Sequence, residues 1–273
     1  MLFDICYKLL RKSIGDRLYR FISWSPLGRS RRNQSRMMFE RIFRHYREHG
    51  LNCAGKIVAE LGCGDQFHTA AFFLENGARR VLLIEPKIRA MPADEVRRRL
   101  IETGSQTVYE PDRLQIFGDL SEVPASYDGG VDWLGSYTVL EHLPELDAYY
   151  RHAGRLLSAS GTAHNAVDLT DHTYHVFTSF RLTRAFAHSR ALYHLRYSAR
   201  LYAFLTDNRT YVNRRLLPAH LSLAQKHGLD VVALEKHPYR PVPVHADVLS
   251  GCAGCDPSDL HIAGFNVTLR RSG

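Results

Sequence analysis

No apolar run in this 273-residue chain is long enough to cross a membrane as a helix, which takes about 18 or more residues nearly free of charge. The first residues lack the long apolar stretch of a secretory leader, because Asp4, Lys8, Arg11 and Lys12 interrupt it. A cytoplasmic location is therefore expected, with peripheral attachment at the inner membrane face as the membrane-bound alternative. Cysteine is scarce. Five residues scattered over such a length do not read as a disulfide framework. Cys252 and Cys255 form one C-x-x-C with no second pair nearby. His245 and His261 would have to complete a four-ligand zinc set, and no metal site is expected. Internal repeats and low-complexity segments are also absent.

Negative charge is lacking at one end. Residues 1–48 hold twelve Lys/Arg against four Asp/Glu, and the remainder holds 24 of each sign, so the whole net charge of +8 lies in the first 48 residues. Such an arm suits an anionic partner, lipid or nucleic acid, or is a solvated helical face. Within residues 1–24, apolar residues such as Ile5, Leu9, Ile14, Leu18 and Phe21 recur at helical spacing, which predicts amphipathic helices. These would pack on their own domain, on a second copy or on a membrane surface. Ser25-Pro26-Leu27-Gly28 reads as a break, and 33–49 as a further helix ended by Gly50.

From residue 56 the pattern alternates. Strands are predicted near 56–61, 80–85, 113–118, 131–136, 161–167, 229–235 and 261–270. Helices are predicted near 66–76, 91–103, 145–158 and 214–227, with Gly77 and Gly104 at helix ends. This alternation implies an α/β fold: a Rossmann-like, seven-stranded, mostly parallel sheet with helices on both faces. Residues 1–50 form a basic helical arm and 51–273 the main domain. Residues 168–213 break the rhythm with nine Phe/Tyr, four His and six Arg against three Asp. They read as a helical insertion after the fifth strand, placed to serve as a substrate lid.

The densest chemistry follows the first strand, in Glu60-Leu61-Gly62-Cys63-Gly64-Asp65. Glycine at 62 and 64 permits positive φ and close approach of a ligand. The next helix start offers N–H groups to an anion, and Asp65 is placed to cap it. Glu85, 21 residues after Gly64 at the end of the second strand, sits where a carboxylate accepts hydrogen bonds from ribose hydroxyls. A third glycine is missing: Phe67 occupies its position, which argues against a dinucleotide pyrophosphate and a nicotinamide oxidoreductase. Glu60, before the loop, suits a cationic amine. A ligand with an ammonium, a carboxylate and a ribose fits best, and S-adenosylmethionine is such a ligand.

Residues 56–167 resemble the class I S-adenosylmethionine-dependent methyltransferases. The matching stretches are Val58 to Asp65, Leu83-Ile84-Glu85-Pro86, Gly118-Asp119-Leu120, and Val131 to Ser136 with Val139-Leu140-Glu141-His142-Leu143. The resemblance implies that Glu60, Gly62, Cys63 and Gly64 hold the methionine part and Glu85 the ribose. It implies that Asp119, with Leu120 beside it, faces the adenine amine, and that Ser136 and Tyr137 lie near the sulfonium. A Val-Asp-Leu-x-Asp-His motif, here Val167 to His172, is similar to one in a subset of bacterial methyltransferases acting on small molecules or glycans. Asn213-Arg214-Arg215-Leu216 extends that likeness less specifically.

Methyl transfer needs a positioned nucleophile and, for a hydroxyl, a proton acceptor. His172 is the first candidate base, with Asp168 or Asp171 to orient it, and His142 is the second. The expected acceptor is a small molecule or glycan. Two other readings stand beside it. One is an RNA methyltransferase using the basic arm, against which the fourth strand ends in Ser136-Tyr137-Thr138 without an Asn/Asp-Pro-Pro-aromatic motif. The other is a non-catalytic subunit that anchors a partner or a membrane through residues 1–48.

Overall fold

The computed structural model describes residues 5, 9, 26–65, 67–105, 110–171, 192–206, 211–238 and 256–273, with the backbone alone for 26–36 and 193. Seven strands form one sheet: β1 (Ile57–Leu61), β2 (Arg80–Ile84), β3 (Leu114–Phe117), β4 (Val131–Tyr137), β5 (Leu157–Asp168), β6 (Leu229–Pro238) and β7 (Ile262–Arg271). Their order is β3-β2-β1-β4-β5-β7-β6. The first five run parallel, and β7 is antiparallel to both its neighbours. The described helices are α1 (Pro26–Glu48), α2 (His68–Glu75), α3 (Ala93–Glu102), α4 (Leu146–Leu156), α5 (Ala199–Leu205) and α6 (Leu217–Lys226). The mostly parallel, seven-stranded α/β architecture expected from the strand–helix alternation is the one observed.

Alternation along β1 splits its residues between two cores. Ile57, Ala59 and Leu61 join Leu134, Tyr149, Tyr150 and Leu217 on one face. Val58 joins Trp133, Leu83, Phe73 and the α1 residues Phe39, Ile42, Phe43 and Tyr46 on the other. Every residue of β1 is buried, Glu60 included, as a strand covered on both faces requires.

Three local expectations need correction. Ser25–Gly28 is not a break after Ser25, because α1 begins at Pro26 and continues through Gly28; proline is tolerated in a first helical turn, where its missing N–H has no partner to lose. The helix predicted over 145–158 ends at Leu156, since Leu157 turns to extended backbone and pairs with Val131 at the start of β5. Asp65 does not cap α2, which starts at His68 after Phe67 and has no side-chain cap. Gly50, Gly77 and Gly104 do take the left-handed conformation, at φ +97°, +83° and +81°.

No described helix is long and apolar enough to cross a membrane. Of the arm's first 25 residues only Ile5 and Leu9 are described, and both pack against Tyr197, Tyr202 and Leu205 of the insertion. The rest of the helices predicted over 1–24 lie outside the described residues, as do 172–191 of the insertion and Cys252, Cys255 and His245.

Candidate active site

The strand order reverses at β1, with β2 on one side and β4 on the other. In open α/β sheets such a switch point opens a crevice at the carboxyl ends of the strands. The loop after β1 enters that crevice. Gly62 N donates to Ile84 O at 2.9 Å, so the turn hangs on the end of β2. Gly62 and Gly64 have φ of +79° and +70°, where a side chain would be strained. Their surroundings differ. A Cβ on Gly62 would overlap the Val139 side chain, whereas a Cβ on Gly64 would meet nothing within 4 Å. The close neighbour at Gly62 is therefore protein, and the open side of the loop is at Gly64.

Glu85 closes this loop. Its Oε2 accepts from Gly64 N at 3.1 Å and its Oε1 from Lys87 N at 3.1 Å, and the residue is only 6% exposed. Cys63 is buried beside it, and burial pushes its thiol well above the usual range, so it carries no thiolate for chemistry. Glu60 points to the α1 face of the sheet. Burial raises its carboxyl to about 7 against the pull of Thr69 and Tyr46, and Thr69 Oγ1 donates to it. The Tyr46 hydroxyl lies near enough to bias the charge of Glu60 but makes no well-formed hydrogen bond.

Asp119 stands on the far side, beyond β3, and is exposed. Its Oδ1 accepts from Ser121 N at 2.8 Å and starts the short turn Leu120–Glu122. Partial burial opposes ionisation, but the Ser121 bonds and the nearby His152 outweigh it and lower the carboxyl below its ordinary value. Leu120 is buried beneath.

At the tip of β4, Ser136 and Tyr137 point to opposite faces. Ser136 is fully buried and donates to Asn165 Oδ1 at 2.8 Å; Tyr149 of α4 donates to the same oxygen. Tyr137 meets His45 of α1 edge-on at 5.4 Å. Asn165 and Tyr149 were missed by sequence reasoning; the signal was a polar pair, His164-Asn165, inside an otherwise apolar buried strand.

The chain then turns sharply. Thr138 takes φ +52°, and Leu140–His142 form one tight helical turn. Glu141 is 1% exposed. Neither of its carboxylate oxygens has a well-formed hydrogen bond, although the backbone of Glu141 and Asp168 lies close. Burial, with the Asp168 charge adding to it, raises this carboxyl well above the usual range. His142 Nδ1–H donates to Tyr211 O at 2.7 Å, which leaves Nε2 as an acceptor. Burial lowers the His142 pKa, against smaller upward effects from the Tyr211 carbonyl and Asp168.

Residues 211–215 latch this turn in place. Asn213 N donates to Glu141 O at 2.7 Å, and its side-chain amide donates to Leu140 O at 2.7 Å and Leu143 O at 3.1 Å. Arg214, at φ +62°, donates to Leu195 O at 2.9 Å and lies over the Tyr202 ring. Asp168 Oδ1 accepts from Thr170 N and Oγ1 at 2.9 and 2.7 Å, and Asp171 is buried. His172 lies outside the described residues. The structure thus brings Glu85 to Gly64, and Glu141 and His142 to Asp168; Glu60 and Ser136 face away from each other across the sheet.

This sheet order with a reversed last hairpin is the fold of the class I S-adenosylmethionine-dependent methyltransferases. Among solved structures it is similar to a candidate sarcosine dimethylglycine methyltransferase from Galdieria sulphuraria, at 14% identity and TM-score 0.52 over 88% of each chain. It is similar to the geranyl diphosphate C-methyltransferase of Streptomyces coelicolor A3(2), at 13% identity and TM-score 0.50, covering 83% of this chain and 76% of that one. It is also similar to the [4+2]-cyclase SpnF, at 13% identity and TM-score 0.52, covering 85% and 80%. No family model and no curated protein matches the sequence.

Proposed function

We propose that the chain is an S-adenosylmethionine-dependent methyltransferase acting on a hydroxyl oxygen of a small molecule or glycan. The observation that carries the reading is the paired geometry of Glu85 and Gly64: a buried carboxylate at the end of β2, anchored to a glycine whose open side has no protein neighbour within 4 Å. That donor and acceptor set fits a ribose. Glu60, Gly62, Cys63, Asp119, Leu120 and Tyr137 border the same crevice in this reading, with Ser136 positioned beneath it.

When bound, the cofactor supplies a methyl group on a sulfonium centre that departs as a neutral thioether. The protein's part is to hold the acceptor oxygen in line and take its proton. His142 is the residue we assign as base, because donation from its Nδ1–H to Tyr211 O fixes the tautomer whose basic lone pair is on Nε2. The proton lost from the hydroxyl moves to that nitrogen as oxygen bonds to carbon. Asp168 favours the resulting imidazolium. His172 and Asp171, at the start of the insertion, stand as the second base and its partner, and 168–213 as the lid.

The similar solved structures include a C-methyltransferase and a cyclase, so the fold alone does not select the acceptor. Titration calorimetry with S-adenosylhomocysteine tests the cofactor assignment; absence of heat with the folded wild-type chain sinks it. Comparing metabolites of a producing strain with those of a deletion strain, for a mass difference of one methyl group, tests the acceptor class.

A further inference from the structure

Away from the crevice, three histidines meet between α1 and the antiparallel end of the sheet. His45 and His49 are one helical turn apart, so both face the same way. His164 projects from the middle of β5 and is fully buried. Its Nε2 lies 3.0 Å from His45 Nε2. The His49 ring centre is 4.2 Å from that of His45 and 4.3 Å from that of His164. One ring nitrogen from each lies within 4.8 Å of the other two.

We propose that His45, His49 and His164 bind a late first-row divalent ion of the zinc class. Three imidazoles with at most one carboxylate beside them suit zinc, copper or nickel rather than magnesium or calcium. Bonds of about 2.0–2.1 Å to a tetrahedral ion place two nitrogens roughly 3.3 Å apart; small ring rotations therefore bring these three onto one ion. Outer bonds already set the rings. His49 Nδ1–H donates to His45 O at 2.8 Å, and His164 Nδ1 pairs with Thr268 Oγ1 at 2.9 Å. Both bonds use Nδ1 and so keep Nε2 for an ion, the arrangement in which a second hydrogen bond orients a ligating histidine. The carboxylate of Glu235, held by Asn266 Nδ2 at 2.8 Å, lies 3.7 Å from His49 Nε2 at the mouth of the cluster. Glu235 or water would complete the coordination from that side.

Such an ion would fasten α1 to β5 and, through His45, to the Tyr137 ring. The competing account is a metal-free trio in which one His45–His164 hydrogen bond and ring stacking suffice.

The test uses the full chain without a polyhistidine tag, stripped with chelator and titrated with Zn²⁺ against a chromophoric chelator. One equivalent is expected, with a rise in thermal midpoint. Co²⁺ in place of Zn²⁺ should give visible d–d bands of a nitrogen-ligated site. His49→Ala should weaken binding by more than the roughly 10–100-fold typical of an outer-sphere loss. That residue is 24% exposed, so the variant is expected to fold, with circular dichroism as the check. His164→Ala should abolish binding but removes a core group, so His49→Ala decides. Substoichiometric zinc in the wild type, or equal affinity in folded His49→Ala, overturns the proposal.

Discussion

Glu85 accepts a hydrogen bond from the Gly64 N–H at 3.1 Å, joining the end of β2 to the loop after β1. The bond holds the loop while leaving the carboxylate at the edge of the crevice. Hydrogen bonds to a charged group are worth about 1.5–3 kcal/mol. Glu85→Ala should therefore weaken S-adenosylhomocysteine binding by roughly 10–150-fold. Calorimetry on the folded variant checks this, and a change below threefold contradicts the ribose assignment.

The two loop glycines should fail differently. Gly62→Ala combines a positive φ with overlap on Val139, and should cost roughly 1–3 kcal/mol of stability. Val139→Ala in the same chain should recover part of that loss, with a coupling of at least about 0.5 kcal/mol. Gly64→Ala meets open space, so adding Val139→Ala should not rescue it. Urea denaturation of the single and double variants provides the comparison.

Glu60 makes stability depend on pH. Its carboxyl is raised in the folded chain to about 7 from 4.5. The folded state therefore binds more protons than the unfolded state between these values, and stability falls as pH rises through the window. The contribution is fully present below about 4.5 and lost above about 7, with a span of order 3 kcal/mol. Glu60→Gln should lack this slope, so its stability relative to wild type should improve from pH 5 to pH 8. Parallel denaturation curves for the two proteins at both pH values would refute the assignment.

Asn213 ties the turn after β4 to the segment before α6 through three hydrogen bonds. Asn213→Ala removes the two that its side-chain amide donates to the turn and also the one its Oδ1 accepts from Arg215 N at 3.0 Å, each worth about 1 kcal/mol. Hydrogen exchange should quicken at residues 140–143 before it does in β4. Unchanged protection there would show that the turn holds itself.

His142→Gln should lower turnover by about 100–10,000-fold, the range of a lost general base, once an acceptor is in hand. S-adenosylhomocysteine affinity should stay within threefold. Retained turnover would move the role of base to His172.

The strand positions were legible because a parallel sheet buried on both faces leaves short apolar runs, and β1 and β2 lie within a residue or so of the predicted spans. The acid at Glu85 was legible from its distance to the glycines. Helix boundaries were not, since the passage from α4 to β5 at Leu157 has no loop and turns on pairing with Val131. The inward set of Glu60, the latch at Asn213 and the histidine trio were not legible either. The latch and the trio join residues far apart in the chain, and the burial of Glu60 depends on a helix packed over its strand; sequence spacing carries no information on such contacts.

The sequence by itself determined the alternating α/β plan, the glycine turn and the carboxylate that closes it. These are local periodicities and a single strand–turn–helix–strand unit, and local rules suffice for them. Tertiary structure alone decided which side of that turn is open. It also decided that Glu141 is buried without a matched partner, that His142 is oriented by Tyr211, and that His45 meets His164 across 119 residues. Burial and convergence are properties of the packed sheet, and they push the carboxyl of Glu141 up and the imidazoles of His142, His45 and His164 down.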